Sequence, residues 1–187
     1  MEGLTTIYII IFSILSIPIF LFSIRTIFNV KSHGFYRFFS WECILWLLIN
    51  NYRYWFFNPL STKQILSWLL LIYSLILVIP GFILMKKLGN PKANRKSAEL
   101  FKFEKTTELI ETGLFKYVRH PLYGSLLFLT WGIFFKNTTN VLLIVSMISS
   151  VFLFITAKIE EKENIEFFGE DYREYMKRSK MFIPYLF

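Results

Sequence analysis

Arg119, His120, Pro121 and Tyr123 stand together just before an apolar run, and Glu160 and Glu161 stand together beyond the next two apolar runs. A guanidinium, an imidazole, a phenol and two carboxylates can jointly hold a ligand that carries both signs of charge. Charged groups at the ends of apolar segments are costly, and their clustering there marks a functional site. Pro121 suits the first turn of a helix, where its missing N–H leaves no bond unmade. The free N–H groups of such a turn attract a carboxylate or phosphate, and Arg119 and His120 add to that attraction. Glu160 or Glu161 can take an amine, a ribose hydroxyl or a cation. Gly124 and Ser125 leave room beside the turn, and Gly132 lies two turns on along roughly the same face. Taken singly, each residue also has a plain use. Arg119 can anchor a loop, Tyr123 can sit in an interfacial belt, and the glutamates can solvate a helix end. It is the combination that points to a site.

The elements that must position these residues read as membrane helices. Of 187 residues, 55% are hydrophobic and 20% aromatic, too oily for an ordinary soluble domain. The net charge of +8 comes from basic residues lying between apolar runs. That is the pattern of cytoplasmic loops, and it argues against a nucleic-acid partner. Cys43 is the single cysteine, which excludes an internal disulfide and two-cysteine metal or redox motifs. Residues 1–3 lack the positive start of a signal peptide, so the first apolar run is expected to be retained.

Five runs qualify as spans: 7–24, 41–57, 64–85, 122–135 and 141–157. Pro18 should kink the first. The second is interrupted by Asn50, Asn51 and Arg53, with Arg53 read as snorkelling to the outer interface. The third, 64–85, carries Pro80-Gly81 near its end and is followed by Lys86-Lys87. The last two are separated by only 136–140, which predicts a tight antiparallel hairpin. With the N-terminus outside, the inner segments 25–40, 86–120 and 158–187 hold 3, 9 and 6 of the 21 Lys and Arg residues. That asymmetry fits the positive-inside rule and favours five spans over four. The hairpin then brings Arg119-His120-Pro121 and Glu160-Glu161 to the same cytoplasmic end. Residues 86–120 form a loop long enough to be functional, and His33 beside Gly34 is expected in an interfacial loop. Beyond 157, Ile165, Phe168, Tyr172 and Tyr175 recur at helical spacing, with Gly169 placed to split the tail in two. The whole is an all-α integral membrane protein with a cytoplasmic helical tail, read as one membrane domain over 1–187: three helices in 1–85, the loop 86–120, and hairpin and tail in 121–187.

Several chemistries are excluded by residue. No G-x-G-x-x-G or P-loop marks a nucleotide site. Two isolated histidines and one cysteine make no zinc site, and no G-x-S-x-G marks a serine hydrolase.

The run Thr112-Gly113-Leu114-Phe115-Lys116-Tyr117-Val118-Arg119-His120-Pro121-Leu122-Tyr123 resembles the G-x-[YF]-x-x-x-R-H-P-x-Y signature of the isoprenylcysteine carboxyl methyltransferase and phospholipid methyltransferase superfamily. Glu160-Glu161, then Phe168-Gly169-Glu170-Asp171-Tyr172-Arg173-Glu174-Tyr175 and Phe182-Ile183-Pro184, continue the resemblance in the family's order. It covers about 106–187, while 1–105 matches only as a hydrophobic pattern. The resemblance implies a membrane enzyme that uses S-adenosylmethionine without a Rossmann domain. Its pocket would lie between the last two helices and the tail, open to the cytosol. By that resemblance Arg119, His120 and Tyr123 are the catalytic candidates, with His120 and Tyr123 at the methionine end of the cofactor. Gly113, Phe115, Tyr117 and Pro121 would line the pocket, and Glu160 or Glu161 would bind polar groups of the cofactor. The acceptor implied is a lipophilic, membrane-resident molecule arriving from the bilayer among membrane lipids. An isoprenylcysteine-like carboxylate leads, with a phospholipid amine or a thiol as alternatives. An NADPH-dependent reductase of sterol type and a non-enzymatic membrane scaffold are the rivals from other classes. The short chain favours a prokaryotic inner membrane, and its oligomeric state is not legible from sequence.

Overall fold

The computed structural model describes residues 2–90 and 106–186, so the loop expected over 86–120 falls partly outside the described residues. Six helices account for most of the chain, and no strand occurs among the described residues. Helix α1 (Glu2–Ser23) runs on past Pro18 and packs chiefly on α2, leaving most of its apolar surface exposed.

Helix α2 (His33–Asn51) begins well before the expected start at 41. The reason is local: Ser32 is extended and its hydroxyl accepts from the Gly34 N–H at 3.0 Å, an N-cap that the apolar count could not register. Gly34 is required because any Cβ there would stand 2.7 Å from Thr26. His33 is therefore the first residue of a helix and fully buried, which corrects its placement in an interfacial loop.

Helix α3 (Thr62–Leu88) is capped by Ser61 and runs through Pro80 and Gly81, close to the expected span 64–85. Helices α4 (Pro121–Phe134) and α5 (Asn140–Phe168) form the predicted hairpin, with Thr139 capping α5. Helix α5 continues unbroken past its apolar part through Glu160 and Glu161. It ends at Gly169, whose φ of +65° turns the chain into α6 (Glu170–Arg178).

Three helices, Thr6–Ser23, Thr62–Leu88 and Asn140–Phe168, are long and apolar enough to cross a membrane. Helix α4 has 14 residues, roughly 21 Å of rise against a hydrocarbon core of about 30 Å. Helix α2 carries Arg37 and Glu42 within its length. Length and composition thus support three of the five expected spans.

The main packings are α3 on α4 and α2 on α5, joined through α4 on α5. Small residues let these helices approach, as is usual where lipid supplies no hydrophobic drive. Ser67 donates to the Gly132 carbonyl at 2.6 Å and Ser74 to the Ser125 carbonyl at 2.8 Å. Ser149 joins Ser40 at 3.0 Å and Thr130 at 3.3 Å, tying α2, α4 and α5. The space beside Gly124 and Gly132 is filled by protein and does not receive a ligand. A Cβ at Gly132 would sit 2.8 Å from Leu71, and one at Gly124 would sit 3.3 Å from the Phe182 carbonyl. Asn51 donates to the Ile133 carbonyl at 2.7 Å, while Arg53 is exposed and bonds the Tyr52 hydroxyl at 2.8 Å.

Candidate functional site

The polar residues singled out from sequence meet where the start of α4 faces the far end of α5. Two backbone devices put them there. Residues 113–116 form a short 3-10 turn, entered through Gly113 at φ +59°, that brings the chain to Val118. The C-terminal segment then pairs alongside. The Arg119 N–H donates to the Lys180 carbonyl at 2.9 Å, the Lys180 N–H to the Tyr117 carbonyl at 2.9 Å, and the His120 N–H to the Met181 carbonyl at 3.2 Å. Arg119 and His120 are thus pinned from both sides before the helix starts at Pro121. Beneath them Tyr123, Leu153, Ala157, Met181 and Phe182 form a buried cluster.

The two glutamates have separate jobs. Glu161 is buried and occupied: Arg119 Nε donates to one of its oxygens at 2.5 Å and Lys158 Nζ to the other at 2.9 Å. Arg119 also donates to the Ser179 carbonyl at 2.8 Å. Together these bonds form a clasp joining α5, the α4 entrance and the C-terminal segment. Glu160 instead accepts from the Tyr123 hydroxyl at 2.5 Å and forms part of the wall of two adjoining clefts. His120 stacks on Tyr123, centroid to centroid 5.7 Å. Its Nε2 is buried and 3.6 Å from Glu161, too far for a good hydrogen bond.

The larger is an open cleft of about 480 Å³ measured to its mouth. Phe115, Phe168, Tyr172 and Tyr175 give it aromatic walls, and Arg119, Glu160 and Asn164 give it polar ones. The smaller, about 300 Å³, is bounded by Arg119, His120, Pro121, Leu122, Tyr123 and Glu160. Met85, Phe115, Arg119 and Glu160 border both, so the two spaces adjoin. Burial raises the phenols of Tyr172 and Tyr175 above an ordinary value that already leaves them protonated at neutral pH, and the Tyr172 hydroxyl accepts from Asn164 at 3.4 Å. The Tyr175 hydroxyl uses its proton on the Phe115 carbonyl at 2.7 Å, fixing the aromatic wall.

Of the residues expected to line the pocket, Phe115, Arg119, His120, Pro121, Tyr123 and Glu160 do border a cleft. Gly113 and Tyr117 do not. Gly113 is an exposed turn residue against Leu84, and Tyr117 is exposed and packs toward Tyr185. Glu161 lies behind the wall in its clasp.

The sequence reading missed a second polar layer from α2. His33 Nδ1 stands 2.9 and 3.0 Å from the two carboxylate oxygens of Glu163, and Arg37 is buried one turn along. The signal was available: Ser32 as a cap would have started the helix at His33 and put residues 33 and 37 on one face.

No solved structure matches the chain. The methanethiol S-methyltransferase of Pseudomonas deceptionensis is 37% identical over 73 residues, 39% of this chain and 27% of the relative. Methanethiol S-methyltransferase 1 of Bradyrhizobium diazoefficiens is 31% identical over 72 residues, 38% of this chain and 25% of the relative. The chain thus spans about a quarter of the length of these curated relatives. The phospholipid methyltransferase family matches residues 62–171, more than half of the chain, from α3 through the hairpin to the start of α6. With α3, the Arg-His-Pro turn and the paired glutamates all inside that match, the chain belongs to the phospholipid methyltransferase family.

Proposed function

We propose that this protein transfers a methyl group from S-adenosylmethionine to a small lipophilic thiol reaching the site from the bilayer. The observation that carries the reading is Glu160, held by Tyr123 in the shared wall of the two clefts. A mixed-charge cofactor bearing an ammonium, a sulfonium and a carboxylate fits that wall. Glu160 would hold its positive groups, and Arg119 with the buried, unbonded Nε2 of His120 would meet its carboxylate end. Phe115, Phe168 and Tyr172 offer aromatic faces to a purine. When bound, the cofactor supplies an activated methyl on a good leaving group. The chain's task is then to orient the two reactants and exclude water. Tyr123 fixes the Glu160 carboxylate and the Arg119–Glu161 clasp fixes the turn that carries His120.

A thiol acceptor is supported by the names of the relatives, each a methanethiol S-methyltransferase. The isoprenylcysteine-like carboxylate and the phospholipid amine have the resemblance and the family's name behind them. Family membership sets methyl transfer ahead of the NADPH reductase and scaffold readings. The reading places the site at a cytoplasmic face, with five spans, an outside N-terminus and 18 of 21 basic residues inside.

Calorimetry on the detergent-purified protein tests the cofactor. S-adenosylmethionine should bind and NADPH should not, and Glu160→Gln should weaken binding about 10- to 100-fold, the loss of one charged contact. Unchanged affinity in that variant sinks the site. Transfer of a labelled methyl group to a panel of an alkyl thiol, a farnesylcysteine and phosphatidylethanolamine then tests the acceptor, with the thiol expected to be labelled fastest.

A further inference from the structure

A thiol at neutral pH is only a few per cent ionised, and the thiolate is the nucleophile. A thiol-methylating site therefore gains from a group that takes the proton. We infer that His33 is that group, oriented by Glu163, an assignment that rests on the thiol reading above.

Three observations carry it. His33 is fully buried, and its Nδ1 faces both oxygens of Glu163 at 2.9 and 3.0 Å. Its Nε2 is buried with no hydrogen-bond partner among the described residues. Buried polar atoms are nearly always bonded, so an orphaned imidazole nitrogen calls for an explanation. A carboxylate on one ring nitrogen with the other left free is the arrangement that fixes a tautomer and leaves a proton acceptor. The other histidine is not built this way. The nearest carboxylate to His120 is Glu161 at 3.6 Å, and both oxygens of Glu161 are taken by Arg119 and Lys158.

Placement also fits. Glu163 lies three residues beyond Glu160, on the same face of α5. His33 bonds Glu163, so it packs against α5 within one helical turn of Glu160, which borders both clefts. The charged groups acting on His33 are Glu163 and Glu160 from α5 and Arg37 from its own helix. In the step, the acceptor's S–H bond breaks and the proton passes to His33 Nε2, giving an imidazolium balanced by Glu163. The sulfur's freed pair forms the new S–C bond to the methyl of a sulfonium donor. The old C–S bond breaks as that happens, and its electrons neutralise the sulfonium. The proton later leaves His33 to water.

His33→Gln and Glu163→Gln test the assignment, with donor affinity by calorimetry as a check that the fold and cofactor cleft persist. In His33→Gln, turnover of an alkyl thiol should fall about 100-fold, the lower end for a general base, with donor affinity within about twofold. The acid limb of the pH–rate profile should disappear. An aromatic thiol already ionised at neutral pH should be methylated nearly as fast as by the unaltered protein. Independently of turnover, ¹⁵N resonances of labelled histidine in the donor-free protein should show His33 protonated at Nδ1 and bare at Nε2. Glu163→Gln should lose that single tautomer. Equal losses with alkyl and aromatic thiols, an unmoved acid limb, or a proton on Nε2 at neutral pH would overturn the assignment alone. A wild-type protein that binds the donor yet methylates no thiol would overturn the acceptor reading and this assignment with it.

Discussion

Two adjacent glutamates, alike in sequence, are made unlike by one residue of helical rotation. Glu161 is buried between Arg119 and Lys158, so removing it leaves a nearly buried guanidinium without its counter-charge. Breaking a pair of this kind typically costs about 3–5 kcal/mol because an uncompensated charge stays behind. Glu161→Ala should accordingly lower the denaturation midpoint markedly, seen by circular dichroism in detergent. Glu160→Gln should leave the midpoint nearly unchanged, because an amide oxygen still accepts from Tyr123. If Glu160→Gln proves the less stable of the two, the division of labour is wrong. The sequence singled out the pair and could not divide it, because the choice depends on where α5 turns relative to the Arg-His-Pro entrance. For the same reason His33 was misread, since its partner Glu163 lies 130 positions away.

At the scale of elements, periodicity located the helices well wherever apolar residues set the boundary, as in α1 and the α4–α5 hairpin. It failed where a cap set it, as at Ser32. The Gly169 break was legible because glycine is the residue that reaches positive φ without strain. Its φ of +65° and ψ of −134°, with nothing within 4 Å of an added Cβ, make it a test of backbone conformation separated from packing. Gly169→Ala should cost about 1–3 kcal/mol, the price of forcing an L side chain there. Because Tyr172 and Tyr175 depend on the α5–α6 angle, cofactor affinity should fall as well. Gly132→Ala is the complementary case, with the strain in packing: its Cβ would meet Leu71 at 2.8 Å. It should cost about 1–3 kcal/mol by overpacking α3 against α4. Affinity for the cofactor should change little, since that contact lies away from the clefts. Thermal melts and calorimetry on the two variants should therefore separate, and identical effects on binding would contradict this picture.

On the whole molecule, the chain gathers His33, Arg37, Arg119, Glu160 and Glu163 at one end of the helical bundle. Lys63 and Lys136 sit at the other, Lys63 bonding Thr138 and Lys136 bonding Gln64. The charge asymmetry of the sequence foretold that polarity, because loop charge is a property of composition and needs no contacts. What it could not foretell is that the last residues complete the site from outside the hairpin. Residues 179–186 supply the carbonyls that hold the Arg119 guanidinium and the Arg119 and His120 N–H groups. Phe182 is 2% exposed in the cluster under Tyr123. A chain ending at Arg178 keeps all six helices but frees Arg119 and His120 from one of their two supports and opens the floor beneath Tyr123. Such a truncation should retain most of its helical circular dichroism, since no helix is cut. It should nonetheless lose measurable cofactor binding, because a site misplaced by even about 1 Å forfeits most of its oriented contacts. If the truncated chain binds S-adenosylmethionine as the full chain does, the C-terminal segment is packing alone, and the turn at 117–120 holds its shape without it.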